Sequence, residues 1–538
     1  MSATNETIDW SFLPKTLDQY EVNLESGFIP AEEPLSRLPN PYYEPWEELA
    51  SNISQYLLAK VLRDKVKSMP VLTIEKLATR REEHRAYVVL CFLSHAYIWG
   101  LNQKAEQVLP ASLAVPWWNI SKKLRIKPVF TNAASVVWNW NLIDKNRPIG
   151  LDNLKHGMLF TGSFDEAWFF LVTVAMDAKS GAILRNIGKI INDISKGDVS
   201  AVTSGLEKLS THINDLRLLL ARMFENCDPY VFYWRMRQYM AGWKNMKEAG
   251  LEHGVKYEGV MDEADGTQSE YQEFYGGNAA QSSTIQLIDI ALGVHHYPIN
   301  VGVENGATDG NKAQNIDTMK AEMKAKYPKP PGNPFLMEMR DYMPGTHKDL
   351  LEDMGKVCHI REFVLINTDG VSRIDYEKFQ AEIERVSADD ISLKNISGDD
   401  LKLKNGLLKA YNKCISNLKV FRDYHMIIVK KYIVNQAKGH SFMGSNAPDT
   451  TPTPPKSATS SPVQDKAQTI GNASGGAVSG ADSKVAGPKS VVAAHTNGIK
   501  PGKLARFVEE GDVIKGTGGT DPIEFLTHIK NETRDSRI

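Results

Sequence analysis

From Trp46 onward the apolar positions follow a helical repeat. Leu49, Ile53, Leu57 and Val61 come every fourth residue, the spacing that gathers side chains on one helical face. Residues 14–47 before them are Pro-rich and irregular, as in Leu38-Pro39-Asn40-Pro41-Tyr42-Tyr43. Ala86–Trp99 is almost wholly apolar, which predicts a helix buried on all sides. A second helical block starts near Asn132, and its clearest member runs from Phe164 to about Leu184. Ser163 stands three residues before Glu166, the spacing of a capping box. Further helices are predicted over Val202–Asn226, Tyr230–Trp243, Ser282–Val294 and Lys409–Val434. Thr346 and Asp349 repeat the cap pattern with a shorter acid, ahead of an apolar stripe of Leu350, Leu351 and Met354. Alternating runs with hairpin dipeptides are missing, so the chain reads as mainly α.

Two segments break the helical text. Residues 304–334 are charged and rich in Pro and Gly. Residues 441–503 are Ser, Thr, Ala, Gly and Pro with almost no aromatics. Such a composition cannot bury enough apolar surface to offset chain entropy, so it is predicted to be disordered. Order is expected to resume at Leu504-Ala505-Arg506-Phe507. The 538 residues suffice for one large or two moderate domains. With 63 basic and 65 acidic residues, the chain lacks the field that would point to nucleic acid or an acidic membrane surface. Met1–Asp9 is polar, without a signal-peptide core, and no uncharged apolar window of roughly eighteen residues predicts a membrane span. The four cysteines are far apart and form no CxxC pair. That argues against a zinc site or disulfide framework and for a reduced, cytoplasmic setting.

Candidate chemistry starts with Gly276-Gly277-Asn278-Ala279-Ala280-Gln281-Ser282-Ser283, small and polar backbone able to lie close to a flat ligand. Tyr342-Met343-Pro344-Gly345-Thr346-His347 puts a histidine at a predicted helix start. A histidine in Thr-His-Lys-Asp is most often exposed in a first turn. As an axial ligand it would need a neutral imidazole and a second group fixing its tautomer. His295 and His296 are adjacent, so on a helix they point about 100° apart; a loop or surface role is expected for both. Phe169 and Thr173 share a helix face, as ordinary packing or as a pocket wall with one hydroxyl. Phe232 and Arg237 lie five apart, about 140° around an α-helix. They can flank one cavity without stacking on one stripe, or be a core Phe and a surface Arg. A pocket arginine would bind a carboxylate at two points. Lys515-Gly516-Thr517-Gly518-Gly519-Thr520-Asp521 lacks the Gly-Lys-Ser/Thr ending of a phosphate loop; it reads as a mobile lid or as a tether to the last helix. Paired catalytic carboxylates, Gly-x-Ser-x-Gly and His-Glu-x-x-His are all missing.

Taken in order, these pieces carry a resemblance. Val108-Leu109-Pro110, Ala114-Val115-Pro116, Ser121-Lys122-Lys123-Leu124 and Asn139-Trp140 lead to Phe169-Phe170-Leu171-Val172-Thr173. Asp228-Pro229, Phe232, Arg237, Gly242-Trp243-Lys244, Tyr257-Glu258-Gly259 and Phe274-Tyr275-Gly276-Gly277 come next. The His347 segment, Arg422-Asp423-Tyr424-His425, Lys431-Tyr432-Ile433 and Gly516–Asp521 complete the series. From about residue 18 to 530, outside the two insertions, the chain resembles the indoleamine 2,3-dioxygenases.

The resemblance implies a mainly α, two-domain haem dioxygenase fold. Residues 1–145 would be a smaller N-terminal helical domain over a larger helical haem domain of residues 146–440. Residues 441–503 would be an insertion, and 504–538 would return as the lid and last helix of the catalytic domain. It implies haem b, with His347 as proximal ligand to the iron, Arg340 as a propionate partner, and Gly277 and Asn278 at the haem edge. It implies O2 as co-substrate and L-tryptophan or another indoleamine as substrate, held by Asn132, Phe169, Phe232, Arg237, Ala279 and Thr517. Thr173, Phe232 and Arg237 would form the catalytic group, with Phe169 and Phe232 walling the indole and Arg237 taking the carboxylate. Thr517 would close over it. O2 would add across the indole C2–C3 bond to give N-formylkynurenine, the first step of the kynurenine pathway. The protein's task would be positioning and water exclusion. A reductant would keep the haem ferrous, and the protein would be a cytoplasmic monomer. Three positions depart from the mammalian pattern: Thr173 for serine, Asn132 for tyrosine and Asn278 for serine. The alternative is a haem protein that carries or senses O2 with weak or no tryptophan turnover; Arg237 and the 516–520 loop argue for the enzyme. An interaction role for residues 441–503 is compatible with either.

Overall fold

The helix Arg80–Trp99 runs through the core, and every residue from Ala86 to Trp99 is buried, as its unbroken apolar text requires. Thr79 caps it by accepting from the Glu82 backbone N–H at 3.2 Å. Two of its buried polar members are paired across the core: Arg85 Nη2 lies 2.6 Å from Glu47, and His95 Nε2 accepts from the Phe130 N–H at 2.7 Å. The computed structural model describes residues 8–261, 266–267, 270–297, 333–368, 398–439, 514–517 and 521–538. The segment 441–503 and the return of order at Leu504 lie outside the described residues, as does nearly all of 304–334.

The four-residue repeat after Trp46 is cut into three short helices, Glu44–Ser51, Ile53–Ala59 and Leu62–Ser68. Leu49, Ile53 and Leu57 are buried as expected, but Lys60 turns left-handed at φ 59° and ends the second piece. The predicted helix from Phe164 is likewise two, Phe164–Ala178 and Ser180–Ser195. Ser163 caps the first, accepting from the Glu166 N–H. The capping box is only half formed, because the buried Glu166 carboxylate accepts instead from the backbone of Phe160 and Thr161, at 2.8 and 2.7 Å. The cap expected of Thr346 and Asp349 is not formed at the helix Gly345–Val357. The Thr346 hydroxyl donates to Glu21 and Asp349 pairs with Arg125 and Lys15; both bind distant segments rather than their own backbone.

The helix Val199–Ala221 buries Val202, Leu206, Leu209, Ile213, Leu216 and Leu220, alternating three and four residues apart. Each such side chain contributes about 1.5–3 kcal/mol. Against it lies the long helix Gly398–Val429, on which the C-terminal helix Pro522–Asp535 also packs. Strands are few and short. Val108–Leu109 pairs in parallel with Val255–Tyr257, which pairs antiparallel with Tyr271–Gln272; Trp140–Leu142 pairs antiparallel with Leu154–His156. Against the expectation of no candidate span, one stretch, Phe164–Ser195, is long and apolar enough to cross a bilayer; 67% of its apolar window is buried inside the protein, the signature of a core helix. All described residues belong to one unit, Met1–His440 with Pro501–Ile538. The boundary at residue 145 between a smaller and a larger domain is kept as a proposal.

Candidate functional site

The helix Phe164–Ala178 presents Phe169, Thr173 and Asp177, four residues apart and so on one face, to a cavity of about 310 Å³. The Thr173 hydroxyl donates to the Phe169 carbonyl at 2.8 Å. Asp177 accepts from the Thr284 hydroxyl at 2.8 Å and the Asn132 amide at 3.2 Å. Burial pushes its carboxyl above the usual range, against these donors. Facing Phe169, the Phe232 ring lies 4.9 Å away centroid to centroid.

Between Phe232 and Arg237 the backbone departs from the predicted α-helix. Phe232–Met236 is a π-turn, and the Arg237 N–H bonds to the Phe232 carbonyl. That i→i+5 bond sets residue 237 above residue 232, where an α-helix would set it about 140° away. The Arg237 side chain is 1% exposed and is not on the cavity lining. Its guanidinium donates to the Lys515 carbonyl and lies 5.1 Å from the Tyr233 ring. Burial pulls its pKa down to about 10, so it stays charged near neutral pH. Next to Lys515, Gly516 and Thr517 reach the cavity. The Thr517 hydroxyl donates to the Gly277 carbonyl at 2.6 Å, and its own carbonyl accepts from the Gly242 N–H at 3.3 Å. Gly242 and Gly276 cross so closely that a Cβ on Gly276 would stand 2.3 Å from the Gly242 nitrogen. Gly276 is therefore required by another backbone, while Gly277, Asn278 and Ala279 line the cavity. Asn278 is held by its amide donating to the Gly276 carbonyl at 3.0 Å.

His347 is not on the lining of this cavity. It lies in the first turn of Gly345–Val357, buried, with its ring 5.0 Å from that of Phe28. Burial lowers its pKa to about 4. Nearby, Glu21 accepts from Thr346 at 2.8 Å and pairs with Arg80 at 2.5 Å; this corner ties the N-terminal segment to the helix start. Arg340 is also off the lining and donates to Gln286 at 2.8 Å, and Gln286 is on it. Among the described residues His425 is the one histidine lining the cavity. Burial, with Arg422 beside it, lowers its pKa to about 4, leaving a neutral imidazole. Three residues earlier Arg422 pairs with Asp289, its Nη2 2.7 and 2.6 Å from the two carboxylate oxygens. Asn132, Phe169, Thr173, Phe232, Gly277, Asn278, Ala279 and Thr517 thus converge, and Arg237, Arg340 and His347 stand behind or away. Sequence reasoning missed Asp177, Asp289 and His425. The spacing of Phe169 and Thr173 extends to Asp177, and His425 closes Arg422-Asp423-Tyr424-His425, one of the segments that carry the resemblance.

Residues 16–536 match the family described as indoleamine 2,3-dioxygenase. The chain is 33% identical over 420 residues to indoleamine 2,3-dioxygenase qulI of Penicillium citrinum, covering 78% of this chain and 79% of that protein. It is 32% identical to the indoleamine 2,3-dioxygenase of Saccharomyces cerevisiae, over 80% of this chain and 83% of the other. It is 29% identical to 6-hydroxytryptophan 2,3-dioxygenase fscD of Fusarium equiseti, over 97% and 98%. The chain belongs to the indoleamine 2,3-dioxygenase family, whose members are haem-dependent dioxygenases that use O2.

Proposed function

We propose that this dioxygenase acts on L-tryptophan, adding both atoms of O2 across the indole C2–C3 bond to give N-formylkynurenine. The observation that carries the reading is a single cavity lined by the Phe169–Phe232 pair, the Thr173 hydroxyl, the Thr517 lid and the His425 imidazole. These residues fit a haem: the walls are largely apolar, and His347 is a buried, neutral imidazole whose Nδ1 has no hydrogen-bond partner. His347 would hold the iron, with Gly277 and Asn278 along the haem edge. Arg340 would reach a propionate only by way of Gln286. When bound, the haem supplies the O2 chemistry that side chains lack.

The rest falls to the protein. Phe169 and Phe232 would hold the indole between apolar faces, and Arg237 would exchange the Lys515 carbonyl for the substrate carboxylate. The same exchange would free the lid to settle over the ligand. Thr517 and the small residues Gly277 and Ala279 would close the site to water. A cytoplasmic monomer supplied by a cellular reductant completes the reading. The deciding measurement is the absorbance of N-formylkynurenine after L-tryptophan, O2 and a reductant are added to the haem-loaded protein. No product at any tryptophan concentration would sink the reading and leave the O2 carrier or sensor.

A second substrate is favoured by one finding, the match to 6-hydroxytryptophan 2,3-dioxygenase along 97% of this chain. The half-buried Asn132 and its partner Asp177 on the cavity wall would receive a ring hydroxyl. Comparing kcat/KM for the two compounds decides between them.

A further inference from the structure

A loop or surface role is expected for both adjacent histidines, and both lie on a loop. His295 is exposed, but His296 is buried and takes no part in the proposed reaction. Its Nδ1 lies 2.9 Å from Glu532 of the C-terminal helix and its Nε2 3.3 Å from Asp289. Asp289 pairs with Arg422 on the long helix, and Arg422 also donates to the Thr533 hydroxyl. Glu532 accepts from the Tyr297 N–H at 2.9 Å and lies 2.7 Å from His528 Nε2.

Arg422 brings one positive charge to two buried carboxylates, Asp289 and Glu532. A neutral His296 would leave the second negative charge to the more exposed His528 alone, and a buried charge without full compensation is costly. As an imidazolium it offers an N–H at each ring nitrogen, one to each carboxylate. Burial and the positive Arg422 work against that charge, and the two carboxylates outweigh them, so the His296 pKa is raised. Both carboxylates are correspondingly held low in spite of their burial. His528 and Tyr297 are the other titratable groups facing the cluster, with Arg361 acting on Tyr297.

We propose that His296 is a positioning residue: as an imidazolium it clasps the C-terminal helix to the Asp289–Arg422 pair on the helix that carries His425. Pro522, Phe525, Leu526 and Ile529 of that C-terminal helix line the cavity, and the lid residues Gly516 and Thr517 precede it. The clasp would therefore set how firmly one wall and its lid are seated. Its meaning for catalysis rests on the proposed substrate site; the clasp itself does not.

Linkage fixes the sign. A histidine whose folded pKa is raised adds stability that is complete below its unfolded value, about 6.5. That stability is lost as pH rises through the folded value. The experiment compares thermal unfolding of the haem-free protein, wild type against His296→Gln, from about pH 6 to 9. The wild type should lose several degrees of Tm that the variant does not, the two converging at high pH, while His528→Gln keeps the wild-type slope. In the haem-loaded protein, His296→Gln should raise KM for L-tryptophan several-fold and change kcat little. Parallel Tm profiles for wild type and His296→Gln would overturn the proposal, whatever the enzyme's substrate. Should the variant not fold, hydrogen exchange of Pro522–Asp535 in the wild type decides. Protection that weakens with pH, after correction for intrinsic exchange, supports the clasp, and unchanged protection overturns it.

Discussion

Burial holds the imidazoles of His425 and His347 alike near pKa 4, so both are neutral and chemically able to bind a metal. His347 has the buried ring nitrogen without a hydrogen-bond partner, whereas His425 lines the cavity wall. His347→Ala should abolish the Soret band of the loaded protein. His425→Ala should keep it. Haem kept by His347→Ala and lost from His425→Ala would reverse the assignment. Arg237→Ala should raise KM for L-tryptophan sharply, since losing a charge-assisted pair in a buried site costs about 2–4 kcal/mol of binding. Tryptamine, which has no carboxylate, should feel it far less, and equal losses would mean general damage to the pocket. The site residues on the Phe169 face were legible because an α-helical repeat places them. His425 on the cavity wall was not: Tyr424-His425 inside a long helix carries no local mark, and the wall around it is supplied by other segments.

At the scale of elements, long apolar repeats such as Val202–Leu220 were legible, and the breaks in them were not. Lys60 and Lys179 end or separate helices without a glycine or proline to announce it. The π-turns at Phe232–Met236 and Lys430–Val434 look helical in sequence; each shifts the facing of the residues beyond it. The first of them brings Arg237 over Phe232, toward the lid. One of the lid's contacts is the Thr517 hydroxyl, so Thr517→Val should lower kcat/KM about fivefold, the worth of roughly 1 kcal/mol, with haem content unchanged. Steady-state kinetics normalised to haem give the answer, and a variant that sheds haem would make Thr517 part of the haem seat. Gly276→Ala meets backbone at 2.3 Å on the Gly242 side. Nothing there can rotate away, so soluble yield should fall sharply, whereas Gly355→Ala, with open space around it, should be tolerated.

Across the whole molecule, the two composition breaks were plain in the sequence, and the long-range pairings were invisible to it. Replacing residues 441–503 by about fifteen flexible residues should leave haem content and kcat nearly unchanged, because loop closure entropy grows only with the logarithm of length. A dead replacement protein would give that segment a structural part. The cavity, by contrast, is assembled from Phe130 at one extreme to Ile529 at the other, and His296 meets Glu532 across 236 positions. Contacts of such separation are slow to form, since the chain must be closed before they return any free energy. An early folding intermediate would hold most of its helices and no complete cofactor site. In stopped-flow refolding, far-UV ellipticity should therefore recover well before the Soret band of added haem. A chain that folds in this order would acquire its prosthetic group late, which would keep half-made molecules from sequestering a reactive cofactor they cannot yet use.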